Sequence, residues 1–182
     1  QIFATALGVS IDKIKLIGAD TDVTPDAGKT SASRQTYVSG NAARLSGSTL
    51  RTRILDKLNV AQDSVLAIDA GFIHATDTSG KHTLSLATLS ADEEGYVLRA
   101  EESYDPPTKP LDANGQGEPY AQFGYAAHLV VVEVDTALGT VKPLSFVAAH
   151  DVGQAINPLL VEGQVQGGIA QGLGMALMEE YI

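Results

Sequence analysis

Glutamines and glycines alternate in the stretch Val161–Tyr181 at spacings that could hold a ligand. Apolar residues recur there every three or four positions, which predicts a helix, although each glycine in a helix interior costs about 1 kcal/mol relative to alanine. Gln164, Gly167, Gly168 and Gln171 would share one face of that helix. Such a face can admit a planar polar group close to the backbone. The alternative is close packing against a neighbouring element, with solvated glutamines.

A second candidate stretch, GKTSASRQTY, begins at Gly28. The pattern predicts a helix from about Ser31 to Leu58, and the residues that open it are small and mostly hydroxylic: Thr30, Ser31, Ala32 and Ser33. A helix N-terminus presents unpaired N–H groups and a partial positive charge, so anions and oxo groups bind there. The alternative is an ordinary cap, because serine and threonine are common N-cap residues.

Other titratable residues form no recognisable catalytic or metal-binding motif. The four histidines lack metal-ligand spacing such as HxxxH, so structural roles are expected for them and no protein-ligated metal is predicted: His74, His82, His128 and His150. No GxSxG motif accompanies a possible Ser–His–Asp set. His150 stands beside Asp151 at a predicted strand end, where it is expected to order the next loop.

Composition limits the class of protein. The chain has 182 residues and 44% hydrophobic residues, enough for one large or two small domains with a core. A net charge of −10 argues against nucleic acid as the main partner. The absence of cysteine excludes disulfides and Fe–S clusters within this chain. No membrane span or signal peptide is visible, so a cytoplasmic location is expected.

Strands and helices alternate irregularly, which predicts an α+β fold with a mixed sheet and long helices, with two possible subdomains at about 1–105 and 106–182. Asn157 before Pro158 is a plausible N-cap for the glycine-rich helix. The other predicted elements are a helix at 1–7 closed by Gly8, a strand at 11–20, two short strands around Gly71, a short helix at 81–93, a strand at 94–104, a long loop at 105–122, and a hairpin formed by 126–136 and 140–153.

Two long segments, DTDVTPDAGKTSASRQTYVSGNA (20–42) and VVVEVDTALGTVKPLSFVAAHDVGQAINPLLVEGQVQGGIAQGLGMALMEEY (130–181), resemble the molybdenum-binding subunit of the xanthine dehydrogenase/aldehyde oxidase family. The resemblance implies a molybdopterin cofactor with molybdenum, which bacterial members of the family often carry as the cytosine dinucleotide. It implies that Ser31, Ala32 and Ser33, with Thr30, line the cofactor near the metal. It also implies that Gln164 and Gln171 contact the pterin or its phosphates, while Gly167 and Gly168 give clearance. No protein side chain is expected to bind the metal.

The same resemblance implies a molybdenum hydroxylase that oxidises a purine-like N-heterocycle or an aldehyde with oxygen from water. The expected partners are the rest of the molybdenum subunit, Fe–S and flavin (FAD) subunits or domains, and a small-molecule substrate. The chain is expected to be an internal fragment, inactive alone, whose catalytic base lies beyond Ile182. Glu118 in GQGEP resembles the family's Gly-x-Gly-Glu but precedes the glycine-rich helix. Carbon monoxide oxidation and a non-catalytic binding or assembly module are the alternatives.

Overall fold

The chain forms two compact units in the computed structural model, which describes residues 1–180. The first unit comprises Gln1–Pro107 and the second begins at Thr108. Helices occur together with small antiparallel sheets in an α+β arrangement, as predicted. No helix in this described part of the chain is both long and apolar enough to cross a membrane.

Two helices of the first unit pack closely together. Helix α1 (Ile2–Leu7) ends at Gly8, which adopts the left-handed conformation with φ 83°. Helix α2 (Gln35–Leu58) is 24 residues long. Gly47 makes the close approach possible, because a Cβ placed there would lie 2.8 Å from the carbonyl oxygen of Phe3. The absence of a side chain at Gly47 therefore allows α2 to approach α1 this closely.

A three-stranded antiparallel sheet completes the first unit. Its strands β1 (Val65–Asp69), β2 (Phe72–Asp77) and β3 (Gly80–Ser85) lie in the order β1-β2-β3. Alternate side chains point to one face of a strand, and one face of this sheet contributes to the core. The buried core joins that face to α1 and α2 through Leu7, Ile54, Leu55, Leu66, Ile73 and Ala75.

Arg51 ties three segments of this unit together. Its guanidinium donates to the carbonyl of Leu7 at the end of α1 and to the carbonyls of Gln62 and Ser64 before β1. A guanidinium has five donors in a fixed planar arrangement, so one side chain can satisfy several carbonyl groups at once. Ser64 is itself buried, and its hydroxyl donates to the carbonyl of Ala61.

The second unit contains an antiparallel hairpin and a helix. Strands β4 (Tyr125–Asp135) and β5 (Thr140–Asp151) pair along their full length, with a register shift between Val131 and Val132. Helix α3 (Pro158–Leu177) contains the predicted glycine-rich segment and ends before Met178. Tyr181, which the sequence pattern included in this helix, lies outside the described residues.

Several local predictions are wrong. Residues 11–20 form a 3-10 turn (Ile11–Lys13) and irregular chain, because their alternating pattern finds no partner strand and leaves Leu16 89% exposed. Of the residues predicted as a short helix at 81–93, Lys81–Ser85 lie in β3, since pairing with β2 overrides local preference, and Leu86–Thr88 form one 3-10 turn. The strand predicted at 94–104 is irregular.

The predicted mixed sheet is also wrong for residues 1–180, because all strand pairs there are antiparallel. The helix expected from about Ser31 begins at Gln35.

Candidate functional site

Helix α3 begins as its sequence requires. The Asn157 side chain accepts a hydrogen bond from the Leu160 N–H at 3.2 Å, and Pro158 occupies the first turn. This satisfies one of the four N–H groups left unpaired at a helix start. Further along the helix, half-buried apolar side chains recur every four residues, at Val161, Val165, Ile169 and Leu173. The predicted helical periodicity is therefore confirmed.

A different side of α3 carries the four candidate ligand-binding residues. Gln164, Gly167, Gly168 and Gln171 are all exposed. A Cβ built on Gly167 or Gly168 would meet no heavy atom within 4 Å. The backbone between the two amides is thus accessible, and no protein group of residues 1–180 fills the space above it.

Glycines that serve helix packing look different in this same chain. At Gly47 in α2, a Cβ would lie 2.8 Å from the Phe3 carbonyl oxygen and 2.9 Å from the Ala6 Cβ. At Gly40, it would lie 2.8 Å from the Ile2 side chain. Within residues 1–180, packing therefore accounts for the α2 glycines, while the space beside Gly163, Gly167, Gly168 and Gly172 of α3 is open.

The hydroxylic segment Thr30–Ser33 lies immediately before α2 rather than within it. All four residues are exposed, and Ala32 and Ser33 form a turn with positive φ of 57° and 52°. The Gln35 side-chain amide donates to the Thr30 hydroxyl at 3.2 Å, linking the segment to the first residue of the helix. The segment thus reaches the helix N-terminus through a tight turn.

Backbone donors accumulate at this turn. In the described part of the chain, the N–H groups of Gln35, Thr36 and Tyr37 at the start of α2 have no protein acceptor, whereas the Val38 N–H bonds to the Arg34 carbonyl. Turns that present successive N–H groups, followed by a helix start, attract anions. Lys29 and Arg34 add two positive charges beside the turn that the sequence interpretation did not include.

The two candidate groups lie in different units of the chain. Thr30, Ser31, Ala32 and Ser33 belong to the first unit, and the residues on α3 belong to the second. Each group offers main-chain and amide contacts without a metal-binding side chain. One can hold an anionic group at its N–H donors, and the other can accept a planar polar group against bare backbone.

Glu118 occupies a setting unlike that of a catalytic base. Its carboxylate lies 2.5 Å from the Lys109 Nζ, and its backbone carbonyl accepts from the Lys109 N–H at 2.8 Å. Both side chains are about 70% exposed. An exposed ion pair that closes a loop is a structural feature of modest energy, and this geometry gives Glu118 no catalytic surroundings.

The histidines make local contacts that sequence spacing did not reveal. His74 Nδ1 lies 2.9 Å from the Thr83 hydroxyl, and His82 Nε2 lies 3.5 Å from the Asp77 carboxylate. Hydrogen bonds from Ser79, and secondarily the charge of His82, lower the pKa of Asp77 below its usual value. The β2–β3 turn is therefore held by an ionised carboxylate.

His128 and His150 form a contact across the β4–β5 hairpin, with 2.7 Å between their Nε2 atoms. They are 22 residues apart in sequence, so no short motif such as HxxxH includes both of them. The strand register, with His150 opposite Ala126, would have placed them together. Asp151 accepts from the Gly153 N–H at 2.9 Å, so this carboxylate orders the loop after β5.

The chain is a domain of the cofactor-binding class. The chain matches the molybdopterin cofactor-binding domain over residues 1–182, and it belongs to that family. It is 34% identical over 191 residues to the xanthine dehydrogenase molybdenum-binding subunit of Escherichia coli O157:H7, a match that covers all of this chain.

Two further relatives are named for other activities. The aldehyde oxidoreductase of Megalodesulfovibrio gigas is 28% identical over 96% of this chain and 17% of that protein. The carbon monoxide dehydrogenase large chain of Hydrogenophaga pseudoflava is 28% identical over 99% of this chain and 22% of that protein. The chain spans 24% of the length of the Escherichia coli O157:H7 xanthine dehydrogenase subunit. The resemblance recognised in the sequence is confirmed.

Proposed function

We propose that this chain supplies part of the molybdopterin site of a molybdenum hydroxylase. The observation that carries the proposal is the open face of α3, where Gly167 and Gly168 expose backbone between two amides in a member of a molybdopterin-binding family. The glycine pair costs the helix about 1 kcal/mol each and meets no protein atom of residues 1–180 within 4 Å, which supports a cofactor as the occupant of that space.

Each residue has a defined role in this proposal. Gln164 and Gln171 donate and accept hydrogen bonds at the pterin or phosphate edge, and the glycines allow close approach. The segment Thr30–Ser33, with the free N–H groups at the start of α2, receives oxo or phosphate oxygens, assisted by the positive end of the α2 dipole. When bound, the molybdenum centre supplies two-electron oxidation. The chain's own contribution is to bind and orient the cofactor, and the proposed catalytic base lies beyond Ile182.

The proposed substrate is a purine-like N-heterocycle or an aldehyde, hydroxylated with oxygen derived from water. The relatives named for xanthine dehydrogenase and aldehyde oxidoreductase support this choice. The relative named for carbon monoxide dehydrogenase supports carbon monoxide as a second candidate. We further propose the cytosine dinucleotide form of the cofactor, partners that carry Fe–S clusters and FAD, and a cytoplasmic location.

Cofactor retention provides the direct test. The intact protein, purified with its natural partners, should contain molybdenum and pterin in equal amounts, measured by elemental analysis and by fluorescence of the oxidised pterin. Gly168→Val should remove most of both, because a branched side chain occupies the cofactor's space. Gln171→Ala should lower retention with little change in far-UV circular dichroism.

Gly139→Ala is a matched control for loss of a glycine, because Gly139 has φ 68° in the hairpin turn and its substitution stresses the fold without touching α3. A dye-linked assay with hypoxanthine, simple aldehydes and carbon monoxide then separates the substrate classes. Full molybdenum and pterin content in both α3 variants would refute the site. Stoichiometric cofactor with no turnover of any of these substrates would contradict the proposed substrate classes. A cofactor-free wild-type protein would favour the non-catalytic module.

A further inference from the structure

One face of the β4–β5 hairpin brings two imidazole rings together. His128 lies on β4 and His150 on β5, displaced diagonally by two residues in the antiparallel register. Their Nε2 atoms are 2.7 Å apart and their ring centres 4.9 Å apart, and both side chains are exposed. At this distance the two ring nitrogens are hydrogen-bonded, one as donor and the other as acceptor.

The surface around the pair is open. The residue directly across from His150 is Ala126, and the residue across from His128 is Ala148, so neither position covers the rings. Phe146 contacts His128 edge to face, with 5.9 Å between ring centres, and restrains that imidazole from one side. Within residues 1–180, no third histidine, cysteine or carboxylate joins the pair to form a larger cluster.

We propose that His128 and His150 form a two-histidine site for a divalent transition-metal ion, with water completing the coordination. Imidazole nitrogen is a preferred ligand of copper, nickel and zinc, and it is a poor ligand for magnesium or calcium, which select oxygen. The metal takes the place of the shared proton, which moves to an Nδ1 atom. Neither Nδ1 is engaged by another residue in the described chain.

Ligand preference puts copper and nickel ahead of the other divalent ions at two imidazoles. Metal–nitrogen bonds of about 2.0–2.1 Å place two nitrogens about 2.9 Å apart at a right angle and about 3.4 Å apart at a tetrahedral angle. The 2.7 Å between the two Nε2 atoms is a hydrogen-bond distance, so the rings move apart to admit a metal ion at either angle. Cu²⁺ and Ni²⁺ adopt square-planar or tetragonal arrangements with such angles, and Cu²⁺ generally binds tightest in the divalent series.

Metal titration of the intact protein tests the site. With Cu²⁺ and Ni²⁺ salts as probes in a non-coordinating buffer, we expect one ion per chain at these histidines, Cu²⁺ binding more tightly than Zn²⁺, and no competition from Mg²⁺. His128→Ala or His150→Ala should each lower affinity by at least about tenfold, since loss of groups that merely support metal ligands already costs that much. Bound Cu²⁺ should show electron paramagnetic resonance coupling to two imidazole nitrogens.

His82→Ala is the matched control. His82 is the main competing histidine, because the Asp77 carboxylate lies 3.5 Å from its Nε2 and could bind a metal ion together with it. This variant should keep the Cu²⁺ affinity of the wild type. If the hairpin variants fail to fold, paramagnetic broadening by Cu²⁺ of the His128 and His150 ring resonances in the wild-type protein answers the same question. Equal affinity in the wild type and the folded double variant, or broadening confined to other histidines, would show that the pair is only hydrogen-bonded.

Discussion

Replacement of Gly168 by alanine should raise the stability of the cofactor-free protein and lower its cofactor retention. The same replacement at Gly47 should lower stability. Both positions lie inside helices, in α3 and α2 respectively, so the backbone effect of alanine is alike. What differs is the space available to the new methyl group, which is open at Gly168 and occupied at Gly47.

The magnitudes follow from this difference in space. Alanine in a helix interior is favoured over glycine by about 0.8–1.0 kcal/mol, and at Gly168 nothing within 4 Å opposes that gain. At Gly47 the methyl group meets a carbonyl oxygen at 2.8 Å, a Cβ at 2.9 Å and a backbone nitrogen at 3.3 Å. Overpacking of this kind costs about 1–3 kcal/mol. Subtraction of the helix gain leaves a net destabilisation of up to about 2 kcal/mol.

Urea unfolding followed by circular dichroism gives both free energies by linear extrapolation. The protein must be cofactor-free for this measurement, because a bound ligand adds its own stabilisation. Amide hydrogen exchange then assigns each change to α2 or α3. Molybdenum and pterin content of the same variants, isolated with cofactor, gives the second readout.

Two results would refute the reasoning. A loss of stability in Gly168→Ala, localised to α3, would mean that protein atoms fill the face and that its glycines serve packing. A gain of stability with unchanged molybdenum and pterin content would mean that no cofactor approaches this part of the backbone. A stable Gly47→Ala variant with unchanged exchange in α1 would contradict the close contact between α1 and α2.

Three further outcomes are expected. Asn157→Ala should destabilise α3 by about 1 kcal/mol through loss of the cap, and faster amide exchange at Leu160 should report it, with Asn157→Asp as the control that retains a cap. Arg51→Ala should destabilise the first unit by about 2–3 kcal/mol in urea unfolding, because three carbonyls lose a charged donor. Asp77 has a lowered folded pKa, so its contribution to the β2–β3 turn is fully present above its unfolded pKa of about 3.9 and is lost as pH falls through the lower folded value. An NMR titration of its carboxyl resonance should show this midpoint below 3.9, and an unshifted midpoint would contradict the Ser79 hydrogen bonds.

The sequence by itself determined the family and the elements with strong local signals. The helix of α3 follows from apolar residues at every third or fourth position and from the Asn157–Pro158 start. The β4–β5 hairpin follows from two apolar runs joined by a short turn at Gly139. These features depend on neighbours a few residues apart, so they are encoded locally.

Strand identity elsewhere was decided by tertiary pairing. The segment at 81–93 is predicted as a short helix, yet Lys81–Ser85 lies in β3 because β2 offers backbone partners along its edge. The segment at 11–20 alternates like a strand but pairs with no strand in residues 1–180, so most of it is irregular chain. A strand is stable only when a second strand pairs with it, and the local sequence does not determine which segment that will be.

The tertiary structure also separated glycines that look alike in sequence. Gly47 and Gly168 both interrupt helices, and only the positions of Phe3 and Ala6 show that the first serves packing while the second stays open. Likewise, the contact between His128 and His150 exists through a register that joins residues 22 apart. Sequence sets which groups are available, while packing and strand register set which of them meet, because those distances depend on chain segments far apart in the sequence.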